Sequence, residues 1–529
     1  MKEKTAAKKP GKKSDRSPKL IGRRDLLKGL ATIPVLGAIA YGIYRKKRLY
    51  SDYRNNILDE LNISPLPAKI SVKVKNNNLI RLGIVGFGIR GRDLLRAAGF
   101  AEPQWIDNVR KAAKENRLDS TYEDYMNQDN LNVVVNGVCD IFDVHAEEGL
   151  LAGANINRQG TGGKSGPLPK RYLTYKELVS CPDIDAVIVA TPDHWHAPVS
   201  IEAAKNGKHV YCEKPMTWSV QETYDIIKVI KESGIVFQLG HQGVQNDYFS
   251  VAKQILDKNI PGKISLVELT TNRNSPNGAW VYPIHPDAGP ENIDWGQFLG
   301  QAPFHEFSLE RFFRWRCWWD YSLGLSGDLM THGYDIINQL LNIGIPNSAI
   351  SSGGIYFFKD GRTVPDVIQT AMEFPVQDLT LLYSATLSSE VNRGTIIMGH
   401  DASIEIKDGL SVRVEPNSSR FKEKIEKGII NPGVPIYNYL PGQNNIDGVV
   451  SPTEQYFAQR GLLYTYRDGK RVDTTFLHIK EWIDCIRSDT QPSCNIDKGF
   501  EEAITAHMSA ISYRENRKVF WDNDRKIII

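Results

Sequence analysis

The sequence predicts an α/β protein of two domains: a parallel, doubly wound sheet first, then an α+β domain with a large, mainly antiparallel sheet. Three observations carry this. At 529 residues the chain is too long for one compact core. From 79 to 244, apolar strand-like runs alternate with helical ones, as in "LIRLGIVGFGIRGRDLLRAAG" (79–99) and "DIDAVIVATPDHWHAPVSIEAAKNGKHVYCEKP" (183–215). Beyond 245, strand-like stretches such as "KISLVELTTN", "SAISSGGIYFF", "VIQTAMEFP" and "LTLLYSATLS" follow one another with few helices between them. The domains are therefore placed at 79–244 and 245–529, with helices at 477–488 and 499–513 closing the chain.

The head is a separate element. Residues 1–50 hold fifteen Lys or Arg and three acids, a balance of +12, so the rest of the chain carries −9 although the whole is +3. A mildly acidic body argues against a nucleic-acid partner. Arg23 and Arg24 precede a sixteen-residue apolar run, 29–44, in which Ala38, Ile39 and Ala40 offer a cleavage site. The twin arginines followed by Leu26, Leu27 and Lys28 resemble a twin-arginine (Tat) export signal. Export through that machinery to the periplasm is expected. Because the run ends in Arg45, Lys46, Lys47 and Arg48, a tether to the inner membrane is the second reading, although sixteen residues fall short of the roughly 20 that span a bilayer. Residues 51–78 read as a linker. Six cysteines without a CxxC exclude a dense disulfide framework and argue against thiolate metal binding, and no metal is expected.

Gly86, Phe87, Gly88, Ile89, Arg90 and Gly91 form GxGxxG between a strand and a helix. The first glycine makes the turn, the second lets the backbone approach a pyrophosphate, and the third allows close helix–strand packing. Asp140, ending "NVVVNGVCD", is the candidate acid for the adenosine ribose, or else an exposed strand-end Asp. Its distance from Gly91 requires an inserted helical segment in the first crossover. An acid there repels a 2′-phosphate, so NAD is favoured over NADP. Glu213, Lys214 and Pro215 follow the strand "KHVYC" at the edge where parallel sheets bind ligands. The neighbouring strand ends on the same edge in Thr191, Pro192, Asp193, His194, Trp195 and His196. Thr191, Pro192, His194, His196, Glu213 and Lys214 join the candidate cofactor contacts.

In "GDLMTHGYDIINQLL", Asp328 and His332 are four apart on one predicted helix face, and Asp335 follows one turn on. That face is either a general base with its carboxylate or a capping Asp with a buried His. In "RFFRWRCWWDY" (311–321), Arg314, Arg316, Trp318, Trp319 and Tyr321 form either a sugar platform or a set of core aromatics. His241 and Gln242 end the last strand of the first domain and are candidates for the nicotinamide side.

Together GFGIRG, "DIDAVIVATPDHWH", "GKHVYCEKP", "GDLMTHGYD" and "SYRENRKVFWD" resemble the glucose–fructose oxidoreductase/inositol dehydrogenase/MocA (Gfo/Idh/MocA) family over about 79–522, with EKP the most specific mark. The resemblance implies a Rossmann domain followed by a domain with a large, mainly antiparallel sheet, and a sugar or cyclitol substrate. It implies Lys214 at the reacting hydroxyl and His332 as proton acceptor, with Asp328 near it. The expected function is NAD-dependent oxidation of a secondary hydroxyl, with the nucleotide tightly bound. Two alternatives stand beside it: a redox-neutral glycosidase or lyase that oxidises, eliminates and reduces, and a non-catalytic exported sugar-binding protein. A homo-oligomer is expected from the open face of a large sheet.

Overall fold

The computed structural model describes residues 41, 44, 45, 74–116, 119–391, 393–407, 409–439, 464–467 and 470–529. Most of the expected signal or anchor, and most of the expected linker, lie outside them.

The first sheet contains β1 (Ile80–Val85), β2 (Val133–Cys139), β3 (Lys170–Tyr172), β4 (Ala186–Val189), β5 (His209–Cys212) and β6 (Phe237–Leu239). Their order is β3-β2-β1-β4-β5-β6 and every neighbouring pair is parallel. Such a sheet is covered on both faces, so its inner strands are mainly apolar; the Ala-Val-Ile-Val of β4 is buried throughout. Strand order reverses between β1 and β4, which opens a crevice beyond their C-terminal ends. The long first crossover contains the helices Pro103–Glu115 and Thr121–Met126, which account for the stretched interval between Gly91 and Asp140.

The second sheet is built from β7 (Ile264–Asn272), β8 (Ser348–Gly354), β9 (Val367–Phe374), β10 (Leu379–Thr386), β11 (Thr395–Gly399), β12 (Ala402–Ile406), β13 (Leu410–Val414) and β14 (Tyr437–Tyr439). After a separate ribbon of β15 (Tyr464–Arg467) and β16 (Lys470–Asp473), β17 (Val519–Asp522) and β18 (Ile527–Ile528) extend its edge. All its pairings are antiparallel except β7 with β10. The exception has a topological cause. The chain leaves β7 for a long excursion and returns to build β8, β9 and β10 as an antiparallel meander, so the meander sets the direction of β10.

The two closing helices serve different sheets. Helix Thr474–Ser488 follows most of the second sheet in sequence but covers the first, where Phe476, Ile479, Trp482 and Ile483 pack with Ile80, Leu82 and Ile84. Its Arg487 is buried and donates to the carbonyls of Asn78 (3.1 Å), Leu131 (2.7 Å) and Asn132 (3.0 Å), clamping the N-terminal ends of β1 and β2. Helix Ile496–Glu515 lies on the second sheet, where Ser509 shares hydroxyl hydrogen bonds with Ser326 (2.8 Å) and Thr370 (2.9 Å).

Replacing Arg487 with Met keeps much of the side chain's bulk but strips three carbonyls of their donor. The Arg487→Met variant is expected to lose about 1–3 kcal/mol of unfolding free energy in a denaturant titration; an unchanged midpoint contradicts the clamp.

Candidate active site

A cavity of about 610 Å³ opens at the crevice between β1 and β4 and continues toward the second sheet. Its first wall is the glycine turn. Gly86 has φ +89°, and a Cβ there would lie 2.6 Å from the Ala190 carbonyl oxygen. At Gly91 a Cβ would meet the Gly86 carbonyl at 2.2 Å, so helix Ile89–Ala97 approaches the turn as closely as only glycine allows. Gly88 differs: a Cβ there would meet nothing within 4 Å. It caps that helix with no side-chain hydrogen bond and no acid in the first turn. The amides at this helix start therefore have no carboxylate competing with an incoming anion.

Asp140 lies just beyond β2 and lines the cavity. Its Oδ2 accepts the Phe87 amide (2.6 Å) and its Oδ1 the Phe142 amide (2.8 Å). Each oxygen keeps a lone pair for a ribose hydroxyl. Thr191 lines the same wall with a buried hydroxyl that has no hydrogen-bond partner among the described residues. An uncapped helix start, a strand-end acid and an orphaned hydroxyl along one groove fit a dinucleotide.

Lys214, which follows the adjacent strand β5, also lines the cavity, and its Nζ donates to Asp328 twice, to the backbone oxygen (2.7 Å) and to Oδ1 (2.8 Å). Asp328 also receives Arg316 Nε on Oδ1 (3.2 Å) and Trp280 Nε1 on Oδ2 (2.9 Å). Burial alone would raise the Asp328 carboxyl, but the charges of Lys214, Arg316 and Arg273 outweigh it and hold the group well below the usual carboxylate range. Asp328 belongs to a wide π-helical turn, Ser326–Met330, that leads into helix Thr331–Leu341. The expected single α-helical face is thus interrupted. None of the hydrogen bonds of Asp328 goes to His332; its carboxylate anchors Lys214 instead of orienting the imidazole.

His332 lines the cavity. Burial first, then the positive charge of Lys214 and the neighbouring His241, push its pKa well below the ordinary value, so the ring is neutral. Behind it His241 packs edge to face at 5.3 Å, with its Nε2 2.5 Å from Glu502 Oε2. Burial pushes His241 down to about 4, and drives Glu502 well above the usual carboxylate range.

The remaining candidates divide. Ile89, Arg90, Pro192, His196, Glu213 and Gln242 line the cavity. Glu213 pairs with Arg90 (2.7 Å), and Arg90 donates to Gln242 (3.2 Å). Burial would raise Glu213, yet Arg90 and Lys214 hold it below its ordinary value. His196 bridges the carbonyls of Pro215 (2.7 Å) and Thr191 (2.8 Å), joining the two strand-end loops.

Phe87 does not reach the cavity: its ring is fully buried in the core, and only its amide acts, on Asp140. His194 turns away to the Phe298 carbonyl (2.7 Å) and packs on Tyr321, because adjacent helix positions face different neighbours. His241 and Asp335 are buried behind His332, with Asp335 pushed up to about 6 by burial.

The expected sugar platform is mostly core. Trp318 and Tyr321 are buried beneath Arg311, Trp319 packs beside Tyr513, and Arg314 donates to the Tyr282 carbonyl (3.0 Å). Only Arg316 of that set lines the cavity, stacked on Trp315 at 4.1 Å. Phe312, Phe313 and Trp315, from the same aromatic stretch, also line it, as do Arg273, Tyr282 and His285, which no motif marks.

Residues 80–241 match the model of the oxidoreductase family with an NAD-binding Rossmann fold, Gfo/Idh/MocA. The uncharacterized oxidoreductase YrbE of Bacillus subtilis is 29% identical over 148 residues, 27% of this chain and 39% of that protein. The 2,7-anhydro-N-acetylneuraminate hydratase of Escherichia coli is 40% identical over 99 residues, 18% of this chain and 26% of that protein. The chain thus matches well under half the length of either relative. A levoglucosan dehydrogenase structure holding NADH and levoglucosan shares the fold, with a TM-score of 0.55 at 16% identity, covering 84% of this chain and 99% of that one. With the groove suited to a dinucleotide and the match over the same strands, residues 80–241 form a Rossmann domain similar to the NAD-binding domain of the Gfo/Idh/MocA oxidoreductase family.

Proposed function

We propose that the chain is an NAD-dependent oxidoreductase acting on a secondary hydroxyl of a sugar or cyclitol. One observation carries the reading: a lysine anchored by a buried aspartate lines the same cavity as a neutral histidine, at the C-terminal edge of the parallel sheet. NAD, when bound, supplies the hydride acceptor. The residues do the rest. Two of the three donors of Lys214 go to Asp328, which leaves one for the substrate oxygen. As the C–H hydride leaves, that ammonium stabilises negative charge on the oxygen while His332 takes the hydroxyl proton and the C=O bond forms.

Retention of the nucleotide between turnovers is part of the reading. A segment from the second domain reaches the loop after β2: Asp143 N–H donates to Asn292 (3.0 Å) and Asp294 N–H to Ile141 (2.9 Å). Residues 282–286 of the same excursion line the cavity. This strap favours, as a second reading, redox-neutral cleavage or hydration, in which the hydride returns to the product. The hydratase relative is named for a reaction of that net kind. The complete set of chemical positions counts against a purely binding role. Self-association through the solvent-facing side of the second sheet, where Ile350 and Leu382 are exposed, belongs to the proposal.

The head supports export by the Tat route into the periplasm, with or without a tether. A route that carries folded proteins suits a chain with its nucleotide already in place. An Arg23→Lys, Arg24→Lys double variant should remain in the cytoplasmic fraction; normal export of that variant rejects the assignment.

The activity is tested with a panel of sugars, cyclitols and glycosides, following absorbance of the reduced cofactor and products of bond cleavage. The Lys214→Met and His332→Gln variants should lose roughly 10²- to 10⁴-fold in turnover while nucleotide released on denaturation stays at the wild-type amount. Unaltered turnover in both overturns the mechanism. Continuous NADH release from a free sugar, with every glycoside left intact, selects the net dehydrogenase over the redox-neutral reading.

His332 accepts a proton only when neutral. Since burial and Lys214 disfavour its charged form, the acid limb of kcat/KM arising from His332 should lie below the ordinary imidazole value of 6.5. A pH profile with that limb at or above 6.5 would contradict the assignment.

A further inference from the structure

Resting on the oxidoreductase reading, we infer that the substrate is an acidic sugar, its carboxylate received by the guanidinium of Arg273 beside Lys214 and His332. The argument begins with an imbalance of charge. On the substrate side the cavity is lined by Lys214, Arg273 and Arg316 against one carboxylate, Asp328. Asp328 is fully engaged, with Lys214 at 2.8 Å, Arg316 at 3.2 Å and Trp280 at 2.9 Å. Glu213 is taken by Arg90. Asp193, the other acid near Arg316, is pushed up to about 7 by burial and is therefore only partly ionised at neutral pH. A net positive excess remains where the substrate must sit.

Arg273 is the least compensated of the three. It directly follows β7, and its backbone is pinned on both sides: its N–H donates to Thr386 (2.9 Å) and its carbonyl accepts from Ser389 (3.0 Å). Its guanidinium makes no hydrogen bond and no ion pair among the described residues, although it is only partly exposed. Its charge acts on both Asp328 and His332, which places it on the reacting side of the cavity and away from the glycine turn. A partly buried guanidinium without a protein partner keeps its donors for solvent or for a ligand that displaces it. Its planar fork matches a carboxylate bidentately, a geometry that hydroxyl groups do not reproduce. Arg316 uses only its Nε on Asp328 and stacks on Trp315, which leaves its terminal nitrogens for neighbouring hydroxyls of the same ligand.

The test uses matched acids and amides: glucuronate with glucuronamide, galacturonate with galacturonamide, and N-acetylneuraminate with its amide. Binding to the full-length, NAD-loaded protein is measured by calorimetry. At least one acid should bind roughly 30-fold or more tightly than its own amide. Arg273→Gln should remove that ratio, and Arg273→Lys, which keeps the charge without the fork, should retain part of it. Equal binding of acid and amide in every pair overturns the inference, as does an unchanged ratio in Arg273→Gln. The two readings fail differently. Reduction of NAD by neutral sugars alone sinks the acidic-substrate inference and leaves the oxidoreductase standing. A strong, Arg273-dependent preference for an acid, with no redox change and no bond cleavage, does the reverse.

Discussion

The buried pair of Lys214 and Asp328 is the contact on which the site depends. Both side chains are about nine-tenths buried and stand 2.8 Å apart. Separating them would leave a charge unpaired in a medium that solvates it poorly, a loss on the order of 3–5 kcal/mol. Lys214 belongs to the loop after β5, and Asp328 to the turn before helix Thr331–Leu341, so the pair joins the first sheet to the element that carries His332. Trp280 and Arg316 satisfy the remaining carboxylate positions, and such full satisfaction makes a buried polar group specify one arrangement. The wide turn at Ser326–Met330 delivers both the carboxylate and the carbonyl of Asp328 to the same ammonium.

Around that pair the charges sort into two regions. Toward the glycine turn, Arg90, Glu213 and Gln242 form a closed set. Toward the second sheet the balance is positive, and His332 stays neutral because burial and Lys214 act on it in the same direction. A neutral acceptor beside fixed cations suits removal of a proton from a hydroxyl whose oxygen becomes negative. Behind His332 lies a second layer: the His241 imidazole is held neutral and the carboxyls of Glu502 and Asp335 are pushed up, since burial penalises charge on each.

Much of this was legible in the chain. The parallel strands showed as apolar runs because both faces of the sheet are covered, and GFGIRG showed because a tight turn and a close helix approach exclude side chains at Gly86 and Gly91. Lys214 and His332 stood out through EKP and the histidine helix. Other expectations met competing constraints. Clustered aromatics at 312–321 said nothing of which rings face inward; Trp318 and Tyr321 fill the core while Trp315 and Phe312 line the cavity. His194 and His196 are two apart on one helix, hence on different sides of it, and only His196 lines the cavity. The four-residue spacing of Asp328 and His332 suggested a partnership that the π-helical turn redirects to Lys214.

By itself the sequence determined what depends on neighbours in the chain: strand and helix periods, the glycine turn, the strand-end loops, and the order of two sheets. The tertiary structure alone decided which distant groups share the cavity. Arg273 after β7, Trp280 in the following excursion and Lys214 after β5 converge on the space around one carboxylate, and helix Thr474–Ser488, which comes after most of the second sheet in sequence, covers the first. The physical reason is that burial and charge pairing act between atoms that are close in space, whatever their separation along the chain, and no local pattern records which of them will meet.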